Sequence, residues 1–186
     1  MEALRKEAEH YTYADYCKWD DDERWELING EAYAMAPAPA WEHQDVSGNL
    51  FLQLRQFLDG KPCKVFAAPF DVRLNADSYD DTVVQPDIVV ICDRAKLSGT
   101  GCVGAPDMVI EILSPSTTRH DTHTKFRLYQ EFGVREYWIV NPDAKTLTVH
   151  VLENGKYYTS TYTDTDIAPV HVLEGCEIVL EKVFAG

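Results

Sequence analysis

What this chain has least of is positive charge. Its 186 residues include 17 lysines and arginines against 31 aspartates and glutamates, a net charge of −14. That argues against a broad basic face gripping many phosphates of a duplex. Long apolar runs are missing as well. No stretch approaches the length of a membrane span, so no membrane partner is expected. The opening, MEALRKEAEH, is charged from its second residue, and no secretory signal is expected there. The five cysteines (17, 63, 92, 102, 176) are scattered, odd in number and without a CxxC pair, which predicts a reducing cytoplasm and no structural zinc. Gly99, Gly101 and Gly104 are followed by no GK[ST], so they do not form a phosphate-binding loop. Ser114 has no GxSxG around it and reads as a helix cap rather than a nucleophile. There is no repeat and no low-complexity segment. The length suits one domain, 1–186, with a sizeable core.

What is present centres on 83–125. Two apolar runs, VVQPDIVVIC (83–92) and PDMVIEILS (106–114), each hold one carboxylate near the middle, Asp87 and Glu111. Short β-branched runs bounded by Pro, Gly and Asp read as buried central strands. A carboxylate there costs several kcal/mol unless compensated, and two on neighbouring strands also repel one another. Strand parity gathers Gln85, Asp87, Val89 and Ile91 on one face, and Asp107, Val109, Glu111 and Leu113 on another. A cation between the two acids relieves both costs, and oxygen ligands favour Mg²⁺ or Mn²⁺ over zinc. The structural alternative is a turn cap for Asp87 after Pro86 and an arginine partner for Glu111.

The next segment, SPSTTRHDTHTKFRLYQEFG, has capping residues at its start and Gly133 as its stop, and predicts a helix. Leu128, Tyr129 and Phe132 form its core-facing stripe. Counting back three, four and seven residues lands on Lys125. Either its stem snorkels to solvent or its ammonium faces the carboxylates. His120, Asp121 and His123 have a spacing that could hold a metal, but at the exposed helix start they read as solvated side chains.

Elsewhere, Thr12-Tyr13-Ala14-Asp15 is a capping box opening a short helix through Trp19. The acidic run 20–23 reads as solvated surface. Asn29-Gly30 and Asn154-Gly155 each predict a tight hairpin. Glu26, in the first strand of the first hairpin, reads on its own as an exposed edge acid. After a break at Pro37-Ala38-Pro39, a helix from about 42 to 58 carries the stripe Val46, Leu50, Leu54, Phe57 and Leu58. His43 lies on that stripe, a place where a histidine is ordinarily a core or capping residue. Residues 64–75 read as a strand kinked at Pro69. Strands follow at 136–140, at TLTVHVLE and at KYYTSTYT, with a last edge element at EIVLEKVF. The exposed strands offer pairing for a second copy, a homodimer. The whole is α/β or α+β: a mixed central sheet flanked by helices, with an N-terminal hairpin and a C-terminal meander.

QPD at 85–87, EILSPST at 111–117, Lys125, GVREYWIVNP at 133–142, WELINGEAYAM and the His43 helix resemble the restriction-endonuclease-like branch, long known as a domain of unknown function, of the PD-(D/E)XK nuclease superfamily. The resemblance runs from about Tyr11 to the tail. Asp87 matches the aspartate of PD, and Glu111 the acid of (D/E)XK. The lysine of that motif is replaced by Leu113, and the branch's pattern fits Lys125 in its place. Glu26 and His43 match positions near the branch's site. The resemblance implies phosphodiester hydrolysis in nucleic acid, DNA foremost, with Mg²⁺ held by Asp87, Glu111 and the Ile112 carbonyl. Two other readings stay open: a non-catalytic binding module on this fold, and a metal hydrolase of a small phosphate substrate.

Overall fold

The structure is a computed structural model that describes residues 10–19, 23–35, 39–77, 79–115 and 117–185. The charged start through Glu9, most of the acidic run at 20–23, Pro37-Ala38 and Ser116 lie outside the described residues. Helix α1, Tyr13–Tyr16, is shorter than its capping box suggests, although the Asp15 carboxylate accepts from both the N–H and the hydroxyl of Thr12. Strands β1, Trp25–Ile28, and β2, Glu31–Ala34, form the first hairpin. Its turn needs two left-handed residues, supplied by Asn29 at φ 50° and Gly30 at φ 78°. Helix α2, Trp41–Phe57, buries Val46, Leu50 and Leu54, the predicted stripe.

Two expected strands are each divided. Residues 64–75 give β3, Lys64–Ala67, and β4, Asp71–Arg73, and the chain changes sheet at Pro69. Residues 83–92 give β5, Val83–Val84, and β6, Ile88–Ile91. Pro86 lacks the N–H that a continuous ladder requires, so the break falls there. Asp87 therefore stands just before a strand rather than in the middle of one. A small hairpin follows, β7 (Leu97–Ser98) with β8 (Gly101–Val103), and then β9, Met108–Ile112. A Cβ on Gly101 would lie 1.9 Å from the Asp71 carbonyl oxygen, so only glycine fits beside β4. A π-helical segment, His120–Lys125, runs into α3, Phe126–Glu131. The remaining elements are β10 (Glu136–Asn141), β11 (Thr146–Glu153), β12 (Lys156–Thr163), β13 (Ile167–Pro169), β14 (Glu177–Val179) and α4 (Leu180–Val183).

The central sheet has the order β12-β11-β10-β9-β6-β3, and only the β9–β10 pair is parallel. A second sheet, β2-β1-β5-β4-β8-β7, packs across it. Both faces of the central sheet are covered, which explains the uninterrupted apolar runs of β6 and β9. On one face Ile88, Val90, Ile110, Ile112, Trp138 and Val140 meet α2 and the C-terminal elements. On the other, Val89, Ile91, Val109, Tyr137 and Ile139 meet α3 and the second sheet through Ile28, Val72 and Val84. Strand β12 is the outer edge of the central sheet and largely exposed, as its alternating Tyr and Thr suggest.

The cysteines depart from expectation. Cys63 and Cys92 are joined in a disulfide 29 residues apart in sequence. The antiparallel register of β3 and β6, which pairs Lys64 with Ile91, brings the two next residues face to face. Spacing along the chain gives no hint of this, because the pairing is made by the sheet. Cys17, Cys102 and Cys176 are free thiols.

Candidate active site

The site forms in the layer between the two sheets, where one end of β6 meets β9. Register sets its foundation. Ile88 pairs with Ile110, and the same register continued by one residue puts Asp87 opposite Glu111. Directly opposed residues of an antiparallel pair share a face, so both carboxylates point toward the second sheet. The Asp87 Oδ2 accepts the Ile112 N–H at 2.7 Å and lies 3.3 Å from His43 Nε2. Its side chain is 24% exposed, whereas that of Glu111 is buried. Asp87 thus faces solvent at the mouth, with Glu111 behind it.

Lys125 is 3% exposed, and its stem does not carry the charge out to solvent. Its ammonium donates to Glu111 Oε1 at 2.9 Å and lies 2.8 Å from Glu26 Oε1. Asp121 Oδ1 stands 3.8 Å away. The Tyr129 hydroxyl also donates to Glu111 Oε1, at 2.8 Å, so this oxygen has two donors. Glu26 is fully buried and not an exposed edge acid, because the second sheet presses that face of β1 against the central sheet. The Gln85 N–H completes its Oε1 at 2.8 Å. Its Oε2 has no hydrogen bond, and His120 Nε2, also without one, lies 3.7 Å from it.

Sequence spacing brought out Asp87, Glu111 and Lys125, and the resemblance added Glu26 and His43. All five converge. His120 and Asp121 were expected in solvent and are buried instead, while His123 is exposed as expected. The local helix type accounts for this. In an α-helix, residues five apart point about 140° away from each other, so His120 and Lys125 could not share a face. The π segment winds with i→i+5 bonds and brings both inward. No residue pattern in RHDTHTK signals that winding. Ser114 behaves as a cap: its carbonyl accepts the N–H groups of Thr117 and Thr118. The arginine-paired acid foreseen as an alternative for Glu111 is Asp107, which Arg135 meets at 2.8 Å.

The charges are unbalanced. Three carboxylates, Glu26, Glu111 and Asp121, lie within 4 Å of one ammonium, and Asp87, beside His43, adds a fourth negative charge facing Glu111. Burial pushes the Glu111 carboxyl well above its ordinary pKa; Lys125 opposes this, and Asp121, Asp87 and Glu26 add to it. Burial also raises Asp121, again against Lys125. Burial alone would raise Glu26 too, but Lys125, His120 and the Gln85 N–H hold it down to about 2. Burial would strip the Lys125 proton, yet Glu111, Glu26 and Asp121 keep it well above the usual lysine range. For His43, burial works downward, and Asp87 with the Ile112 backbone outweighs it, so the imidazole titrates above its ordinary value.

Among the described residues, no three His, Cys, Asp or Glu side chains form a metal cage. The donors are instead two carboxylates, Asp87 at the mouth and Glu111 behind it, with Glu26 and Asp121 adding negative charge. Hard oxygens in small number suit Mg²⁺ or Mn²⁺, which keep several waters and bind through one or two carboxylates plus substrate phosphate.

A family described as "Putative restriction endonuclease" (Uma2) matches residues 12–181. The chain belongs to that family. A curated relative, the uncharacterized protein slr1290 of Synechocystis sp., is 27% identical over 177 residues, which is 92% of this chain and 90% of the relative. A crystal structure from Anabaena variabilis, described as a putative nuclease belonging to DUF820, superposes with a TM-score of 0.75. It is 19% identical, over 94% of this chain and 98% of that one, and shows that the two share a fold. Fold class and family agree with the resemblance drawn from QPD, EILSPST and GVREYWIVNP.

Proposed function

We propose that the chain is an endonuclease that hydrolyses phosphodiester bonds in nucleic acid, DNA foremost, with the aid of Mg²⁺ or Mn²⁺. The observation that carries this reading is the imbalance of charge: Glu26, Glu111 and Asp121 share a single buried lysine, and Asp87 adds a fourth carboxylate facing Glu111. A protein interior tolerates such a cluster poorly without a further cation. Asp87, Glu111 and the Ile112 carbonyl would hold it. The chemistry that a divalent ion supplies there is polarisation of a phosphate and a lowered pKa for a water.

The chain's own residues divide the remaining work. Lys125, kept protonated by Glu111 and Glu26, steadies negative charge that develops on the phosphate and orients the attacking water. Glu26 and the Tyr129 hydroxyl fix that lysine and Glu111 in place. His43 holds Asp87 from the first turn of α2. In this chain, Lys125 on the π segment takes over from the lysine that the PD-(D/E)XK pattern has two residues after its acid, where Leu113 stands.

The test is cleavage of plasmid and single-stranded DNA with Mg²⁺ or Mn²⁺. Asp87→Ala and Glu111→Ala are expected to abolish divalent-dependent cleavage while the chain stays folded. Undiminished cutting by either variant overturns the assignment. Turnover of a generic phosphodiester with no cutting of DNA would favour a small-phosphate hydrolase. Absence of any metal-induced thermal shift would favour a non-catalytic module.

A further inference from the structure

A cleft of about 680 Å³ opens beside the carboxylate cluster, between the β1–β2 turn and the π segment with α3. Its walls include Tyr33, Arg119, His120, His123, Arg127 and Glu131. In so acidic a chain this lining is unusual: two arginines and two histidines against one acid. Arg119 and Arg127 are exposed, and neither has an ion pair or side-chain hydrogen bond among the described residues. Arg73 and Arg135, by contrast, are paired with Asp80 and Asp107. His120 is the partition between cleft and cluster. Its ring lies against Tyr33 with centroids 5.1 Å apart, while its Nε2, buried and without a hydrogen bond, faces Glu26.

We infer that this cleft is a binding site for single-stranded nucleic acid. The inference rests on the nuclease reading and names the form of substrate it takes. Arg119, Arg127 and His123 contact successive phosphates, and the Tyr33 ring offers a stacking surface for a base. The size of the cleft suits one or two nucleotides, since pockets of roughly 300–1,000 Å³ enclose ligands of that scale. A duplex is too wide to enter. The shortage of basic residues points the same way, because two arginines make a short footprint, not the many phosphate contacts of a duplex surface. A strand lying in the cleft is one side chain, His120, away from the acids.

Fluorescence anisotropy in EDTA reads binding without cleavage. The probe is a labelled oligothymidine of about 12 nucleotides, with a hairpin duplex of the same charge as comparison. The intact chain is expected to prefer the single strand. The double variant Arg119→Ala/Arg127→Ala should weaken its binding at least about tenfold and reduce the slope of log affinity against log salt concentration by about 1.4, roughly 0.7 for each phosphate that no longer meets an arginine. Tyr33→Leu should weaken it about fivefold or more by removing the stacking surface. Both arginines are exposed and without an ion pair among the described residues, so an unchanged thermal midpoint is expected for the double variant. Equal affinity for the duplex, or unaltered binding of the single strand by the double variant, overturns the inference. The nuclease reading is tested separately: Asp87→Asn should abolish cleavage yet bind the oligothymidine in EDTA as the intact chain does. Loss of binding in Asp87→Asn would also count against the cleft as the site.

Discussion

The two faces of the central sheet each bury a glutamate on neighbouring strands, and they treat it differently. Glu136 of β10 is fully buried on the face toward α2. Burial raises its pKa, and two N–H donors oppose that most, Val172 at 2.8 Å and Trp138 Nε1 at 2.7 Å, with a smaller contribution from His171. Each carboxylate oxygen has its own N–H, and no second acid adds repulsion there. Glu111 of β9, on the opposite face, shares a lysine with Glu26 and also feels the carboxylates of Asp121 and Asp87. A buried acid is therefore no functional sign in itself. What separates the two faces is charge that the protein alone leaves uncompensated.

Removing the one ammonium should break the comparison most severely. Lys125→Met keeps the stem and leaves Glu26, Glu111 and Asp121 without their shared ammonium, and is expected to cost about 3–5 kcal/mol at neutral pH in urea denaturation, together with all cleavage. Part of that stability should return as acid protonates the cluster. A loss below about 1 kcal/mol at pH 7 would mean that the cluster is solvated and the account of it wrong.

On the other face, Glu136→Gln should cost about 1–3 kcal/mol, because one N–H loses its acceptor to the new amide. Divalent-dependent cleavage should be unchanged. A fall in cleavage without a matching fall in stability would give Glu136 a role that its neutral partners do not suggest.

A smaller effect separates the acids around Lys125 by sign. The folded-state pKa of Glu111 is raised, so its contribution is present below about pH 4.5 and lost as pH climbs through the raised value. The intact chain should then lose stability relative to Glu111→Gln as pH rises from 4.5. Glu26 is depressed to about 2, so the intact chain should lose stability relative to Glu26→Gln as pH falls from about 4.5 to about 2. Parallel rather than opposed slopes in paired denaturation curves would show that the lysine is not shared as described.

Much of this was legible in the residues. The β-branched runs around Val89 and Val109 foretold buried strands and Asn29-Gly30 and Asn154-Gly155 their hairpins, while the spacing behind Leu128 put Lys125 on the apolar stripe and left its ammonium's direction open. The illegible parts share one cause, since each depends on how distant segments meet. Glu26 looks exposed until the central sheet covers its face of β1, and Cys63 finds Cys92 only through strand register. His120 and Asp121 turn inward through a π winding that local propensity does not encode. Pro86 was in plain view, and its missing N–H could have moved Asp87 from the middle of a strand to its start.

The central claim is that the acids at the mouth hold a divalent cation. Crystals soaked in Mn²⁺ and measured for anomalous scattering test it most directly. The account predicts one strong peak within about 2.5 Å of carboxylate oxygens of both Asp87 and Glu111, absent from Asp87→Asn crystals. No peak between them in crystals that take up Mn²⁺ elsewhere, or only a peak at His120 and His123, would contradict it.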